Sequence, residues 1–228
     1  MSDTRTNAGI DNVSMFKKMH TWSVPGERII TLLSAGNLAT TQAVISMLDE
    51  RTKAVGDRNP SILELPSLFQ VARLVGEIIR EEIRTNGAGG QNAVSTFNAS
   101  VIIGGQIKGH EPRLFLVYPE GNFIEASAET PFFQIGETKY GKPILVRAYD
   151  PELSFEDAIK LMLVSFDSTI KANLSVGLPL DVQCQERDAL RTTYEHRISA
   201  DDPYFSIIST GWGNALREAF HSLPPYEM

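Results

Sequence analysis

Cysteine is nearly absent: Cys184 is the only one in 228 residues. No internal disulfide can form, which fits a reducing compartment. Long apolar runs are absent too, none approaching the ~20 residues of a membrane-spanning helix, and the first residues are polar rather than basic-then-apolar, so neither a transmembrane helix nor a secretory signal is read. Basic charge is short, with 21 Lys and Arg against 28 Asp and Glu for a formal charge of -7. Without a Lys/Arg-dense window, nucleic acid is a poor partner. The four histidines, His20, His110, His196 and His221, share no ligand spacing, and His110-Glu111 lacks the second histidine of the zinc-protease helix motif. The expectation is a cytoplasmic protein that uses no metal, no cofactor and no membrane.

What is present is an ordinary globular composition, 42% hydrophobic and 21% charged, long enough to bury a sizeable core. Thr21–Val24 and Ile29–Ala35 read as strands around a Pro25-Gly26 turn, and Gly36-Asn37 breaks into an amphipathic helix from Leu38 to Val55. A second helix is expected from Ser67 to about Thr85, with turns at Asn7-Ala8-Gly9 and across the glycine-rich 86–92. Ser100–Ile107, Arg113–Tyr118 and Asn122–Ala126 are separated by hairpin-length connections, so they read as antiparallel strands. The longest periodic segment is Phe155–Asn173, headed by a Ser154/Asp157 cap. Leu180–Gln185 and Tyr204–Ser209 read as strands, Phe132–Gly136 as a further extended piece, and short helices are expected near 141–146 and over 214–220. No linker of domain-splitting length and no repeat appears, so one domain, a layered α/β sandwich, is expected.

Several motifs fail on their own chemistry. Gly136–Lys142 has P-loop spacing, but Pro143 follows, with no hydroxyl for magnesium and no N–H for phosphate. Cys184 alternates within an apolar strand, where a cysteine is usually a small buried hydrophobe. Asn98-Ala99-Ser100 and Asn173-Leu174-Ser175 match the glycosylation pattern by letter only.

One constellation carries chemistry. Asp3 and Lys18 are separated by a turn and can face each other, while Gly36, at the strand-to-helix break, can offer its backbone N–H. A lysine held by a carboxylate beside such an N–H suits a nucleophile, the cation favouring the deprotonated form and the N–H receiving oxyanion charge. Surface Lys–Asp pairs are common and mostly solvated, so the pair alone is a weak signal.

At these residues the chain resembles a family. Ser2-Asp3-Thr4-Arg5, Lys18-Met19 and Ser34-Ala35-Gly36-Asn37-Leu38-Ala39-Thr40-Thr41-Gln42 are similar to proteasome β-type subunits, specifically the bacterial ancestral-β-subunit, proteasome-related group, and the likeness runs through essentially the whole chain. The resemblance implies a four-layer αββα fold of the N-terminal-nucleophile hydrolases, assembled into ring-like or open spiral homo-oligomers. It implies a threonine-type peptidase or amidohydrolase acting on peptides or unfolded protein, with an N-terminal threonine whose α-amine is the base. Asp3 would match the aspartate, Lys18 the lysine beside the nucleophile and Gly36 the oxyanion glycine. Ser34, Leu38 and Gln42 would line a small, moderately apolar pocket for the residue before the scissile bond.

The likeness departs in two places. The family's Asp-x-x-Ser-Gly after the third helix meets Ala172-Asn173-Leu174-Ser175-Val176-Gly177 here: either Gly177 matches the glycine, which puts Asn173 in the aspartate's place, or Ser175 matches the serine and the aspartate is absent. The favoured match makes Ser175 the polar helper with Asn173 nearby, and the family's central-loop serine has Thr138 as its nearest counterpart. At the front, the family's threonine stands about a strand and a turn before the position of Asp3, where this chain has only Met1 and Ser2. The expectation is therefore a chain incomplete at its N-terminus and inactive as written, with a noncatalytic ring- or spiral-forming scaffold of the same fold as the alternative.

Overall fold

A computed structural model describes residues 1–7, 13–53, 60–86 and 97–228. The expected turn at Asn7-Ala8-Gly9 and the glycine-rich stretch after Asn86 fall largely outside them.

A five-stranded antiparallel sheet holds the larger core. Its strands are β4 (Met19–Val24), β5 (Arg28–Gly36), β6 (Ala99–Ile107), β7 (Arg113–Val117) and β8 (Phe123–Glu125), paired in chain order. The side-chain period of two decides what each face meets. Ile30, Leu32, Val101, Ile103, Phe115 and Val117 share one face and pack beneath α1 (Leu38–Lys53) and α2 (Leu68–Asn86) in a single cluster. From those helices Val44, Leu48, Val71, Val75 and Ile79 are almost wholly buried, each side chain contributing about 1.5–3 kcal/mol.

A three-stranded antiparallel sheet forms the second layer, in the order β1 (Ser2–Asp3), β9 (Leu180–Cys184), β10 (Tyr194–Ile198). Its outer residues Leu180, Val182 and Ile198 pack with Leu163 of α4 (Phe155–Ala172) and Phe205 of α5 (Pro203–Ser222). The short α3 (Lys142–Ala148) precedes α4, and β2 (Arg5–Asn7) pairs with β3 (Val13–Met15) as a separate ribbon. Between the sheets, amides meet hydroxyls: Thr31 Oγ1 donates to Gln183 Oε1 at 2.7 Å and Gln185 Nε2 to Thr31 Oγ1 at 2.7 Å. The layers are thus helix, sheet, sheet, helix, the αββα sandwich that the sequence leads one to expect.

Three expectations change. Tyr204–Ser209 is not a strand but the first part of α5, because Asp202 caps the helix by accepting from Phe205 N at 2.8 Å and Pro203 stands in its first turn. The partner of β9 is β10, whose residues are mostly exposed and so carry little alternation to read. Phe132–Gly136 forms no strand. By contrast the Ser154 cap is present, its Oγ accepting from Asp157 N at 3.1 Å.

Candidate active site

The two sheets meet beside a cavity of about 730 Å³ whose lining comes from both. Asp3 sits on β1 opposite Leu180. Thr4 then turns the chain out of the sheet, its Oγ1 donating to Pro179 O at 3.1 Å and its carbonyl accepting from Phe16 N at 2.8 Å. The β2–β3 ribbon therefore returns Lys18 to the neighbourhood of Asp3, and Ser34 N donates to Lys18 O at 3.0 Å, fixing that residue to β5.

Lys18 Nζ donates to Asp3 Oδ1 at 2.7 Å and to Arg5 O at 2.6 Å, while Asp3 Oδ2 accepts from Arg5 N at 3.2 Å. The lysine and aspartate side chains are only 21% and 11% exposed, so the pair is held away from the screening that makes surface ion pairs weak. An ammonium has three N–H groups; two are used here among the described residues, and Lys18 lines the cavity.

Gly36 ends β5 and lines the same cavity. Its φ is 114°, and a Cβ there would lie 2.4 Å from Asn98 O, so only glycine fits. The next residue, Asn37, caps α1, its Oδ1 accepting from Thr40 N at 3.0 Å. The site thus borders a helix N-terminus, where backbone N–H groups favour negative charge. Ser34, Leu38 and Gln42 also line the cavity, with Ile45, Ser46 and Ile102.

Ser175 reaches the cavity from the other layer, and Asn173 does not line it. Asn173 closes α4 and stands behind the serine: its Oδ1 accepts from Ser175 N at 2.8 Å and Ser175 Oγ at 2.7 Å, while its Nδ2 donates to Glu137 Oε2 at 2.8 Å. At the central loop Gln134, Ile135, Gly136 and Glu137 line the cavity, and Thr138 does not. The Lys139 backbone N–H, helped by the Asn173 amide, holds the Glu137 carboxyl below its usual pKa.

Three contributors escaped the sequence reading. Arg5 gives its backbone N–H and carbonyl to the ion pair, and its guanidinium donates to Leu174 O at 3.2 Å. That guanidinium also lies over Gly177, where a Cβ would meet it at 2.4 Å. Glu137 is the second, and His20 the third. Half-buried His20 lines the cavity, and burial lowers its pKa, so its imidazole is neutral at neutral pH. Strand alternation holds the signal for His20, since residues 18, 20 and 34 fall on one face once Lys18 is taken as the anchor. Cys184 is buried, and burial raises its thiol pKa, which removes it from contention as a nucleophile. Among the described residues no cluster of His, Cys, Asp and Glu suits a metal, and no helix is long and apolar enough to cross a membrane.

A four-layer αββα sandwich with a lysine–aspartate pair and a glycine backbone at the seam of its sheets defines the proteasome type of N-terminal-nucleophile fold. The sequence matches the Proteasome subunit family over residues 67–182. In solved structures, Anbu (ancestral beta-subunit) from Yersinia bercovieri is 44% identical, with 100% of this chain and 94% of that chain covered and a TM-score of 0.90. The Anbu (Gly-1) mutant from Hyphomicrobium sp. strain MC1 is 50% identical over 99% of this chain and 93% of that one, with a TM-score of 0.91. A helical assembly of the Anbu complex from Pseudomonas aeruginosa is 43% identical over 99% and 92%, with a TM-score of 0.88. No curated protein sequence matches. The chain belongs to the proteasome family and, within it, to the bacterial ancestral-β-subunit group.

Proposed function

We propose that this chain builds the lysine, carboxylate and oxyanion donor of a threonine-type peptidase or amidohydrolase, and that it works as a ring-like or open spiral homo-oligomer. The observation that carries the reading is the Lys18 ammonium, fixed by Asp3 Oδ1 at 2.7 Å and Arg5 O at 2.6 Å beside the cavity that Gly36 also lines. A cation at that point stabilises the alkoxide of an attacking hydroxyl, and the Gly36 N–H takes the charge that develops on the carbonyl oxygen. The nucleophile in this reading is a threonine hydroxyl. Asp3, Lys18 and Gly36 act on the reacting atoms or hold the groups that do, Ser175 assists with Asn173 behind it, and Ser34, Leu38 and Gln42 receive the residue before the scissile bond. Peptide or unfolded protein is the substrate class, since formal charge of -7 disfavours polyanions. Self-association is supported by the helical assembly of the Pseudomonas aeruginosa relative.

A noncatalytic scaffold is the second reading. It is favoured by Ser175 Oγ, which donates to Asn173 Oδ1 rather than standing free. Fluorogenic peptide hydrolysis by protein isolated from its natural source separates the two. The peptidase reading expects turnover that falls by about 10²-fold or more in Lys18→Ala; turnover unaffected by that change would remove Lys18 from the chemistry, and no turnover from a folded, assembled protein would favour the scaffold.

A further inference from the structure

Past Gly36 the cavity extends between the β4–β5 hairpin and α1. On the strand side Lys18, His20 and Ser34 share one face, since His20 lies opposite Leu32 and strand positions two apart point the same way. On the helix side Leu38, Thr41, Gln42, Ile45 and Ser46 recur at spacings of 3, 1, 3 and 1, and all of them line the cavity. His20 closes this end. Its ring stacks on Trp22 with centroids 6.2 Å apart, and Trp22 Nε1 donates to Asp49 Oδ1 at 2.7 Å, which ties the pair to α1 one turn beyond Ile45.

The polar atoms of this branch are free to meet a ligand. His20 Nε2 donates to Lys17 O at 3.1 Å, so the ring proton is on Nε2; with the imidazole neutral, Nδ1 is a bare acceptor. Among the described residues Nδ1 has no hydrogen-bond partner, and neither have Ser34 Oγ, the Gln42 amide or Ser46 Oγ. The nearby carboxylates are engaged: Asp3 by Lys18, Asp49 by Trp22, and Glu137 on the opposite wall by Asn173. Lys17 and Lys18 both line the cavity, so its charge at this end is positive.

We propose that His20 makes this branch a pocket for a primary-amide side chain, so that the residue received before the scissile bond is glutamine or asparagine. This deepens the peptidase reading above and rests on it. An amide N–H donates to His20 Nδ1, its carbonyl accepts from the Ser34 or Ser46 hydroxyl, and its methylenes lie against Leu38 and Ile45. A leucine of similar size would leave those groups buried and unpaired, the penalty by which hydrogen-bonding sites reject apolar analogues. Glutamate has no N–H to offer Nδ1, and lysine would meet two ammonium groups and no free carboxylate.

Hydrolysis by the assembled natural protein of fluorogenic peptides that differ only in that residue tests it. Glutamine is expected to exceed leucine, lysine and glutamate by at least ~10-fold in kcat/KM, and His20→Leu, its fold checked by circular dichroism, to reverse the glutamine–leucine order. Gln42→Leu, at an exposed helix position, should lower the same ratio with the fold intact. A wild type without the glutamine preference overturns the amide pocket and leaves the peptidase standing. So does a wild-type ratio kept by folded His20→Leu, or by Gln42→Leu where His20→Leu does not fold. A folded, assembled protein that cleaves none of the peptides overturns both.

Discussion

Helices α2 and α5 are nearly equal in length, 19 and 20 residues, yet α2 buries nine side chains or backbones and α5 buries one. The difference does not lie in helix-forming character, since each carries an apolar stripe at helical spacing. It lies in what stands opposite. α2 runs over a five-stranded sheet whose upper face is apolar from Ile30 to Val117, whereas α5 begins over the small sheet and outruns it. A stripe at helical spacing shows which face seeks burial, and only the tertiary context shows whether the same chain provides it.

Alanine substitutions can break that comparison. Ile79→Ala, at a wholly buried position of α2, is expected to lower unfolding stability by about 2–5 kcal/mol in denaturant titration; a loss below ~1 kcal/mol would mean the larger core is loosely packed. Ser154→Ala removes the cap of α4 and should cost about 1 kcal/mol, placing the smaller helical layer between the extremes. The pH dependence of His20 is smaller. Burial lowers its folded-state pKa, so the unfolded chain binds the proton first, and stability present at pH 7.5 falls as pH drops below the ordinary histidine value. Thermal melts at pH 7.5 and 5.5 should show a smaller acid shift in His20→Gln than in wild type, and equal shifts would acquit His20. Leu216→Ala should change subunit stability least, by no more than ~0.5 kcal/mol under conditions where the chain is monomeric; a large loss there would show that α5 is covered after all.

Much of the fold was legible. β5, α1, α2, β6 and β7 could be read because each is half or wholly buried and keeps its period, and β8 because a hairpin-length connection separates it from β7. β10 could not, since four of its five residues are exposed, and neither could the first half of α5, where Tyr204–Ser209 spells a β-like run and the Asp202-Pro203 start signal decides otherwise. At the site, Asp3, Lys18 and Gly36 follow from spacing and family likeness together. Arg5 and Glu137 were invisible because their roles depend on backbone atoms and on a loop folded back from over a hundred residues away, which no local pattern encodes.

The central claim is that Lys18, held by Asp3, activates a threonine hydroxyl beside the Gly36 amide. Intact-mass measurement of the natural protein after treatment with a threonine-directed β-lactone tests it most directly. The account predicts one adduct per chain on an N-terminal threonine, lost in Lys18→Ala; a folded, assembled wild-type protein that takes no adduct, or one whose labelling survives Lys18→Ala unchanged, would contradict it.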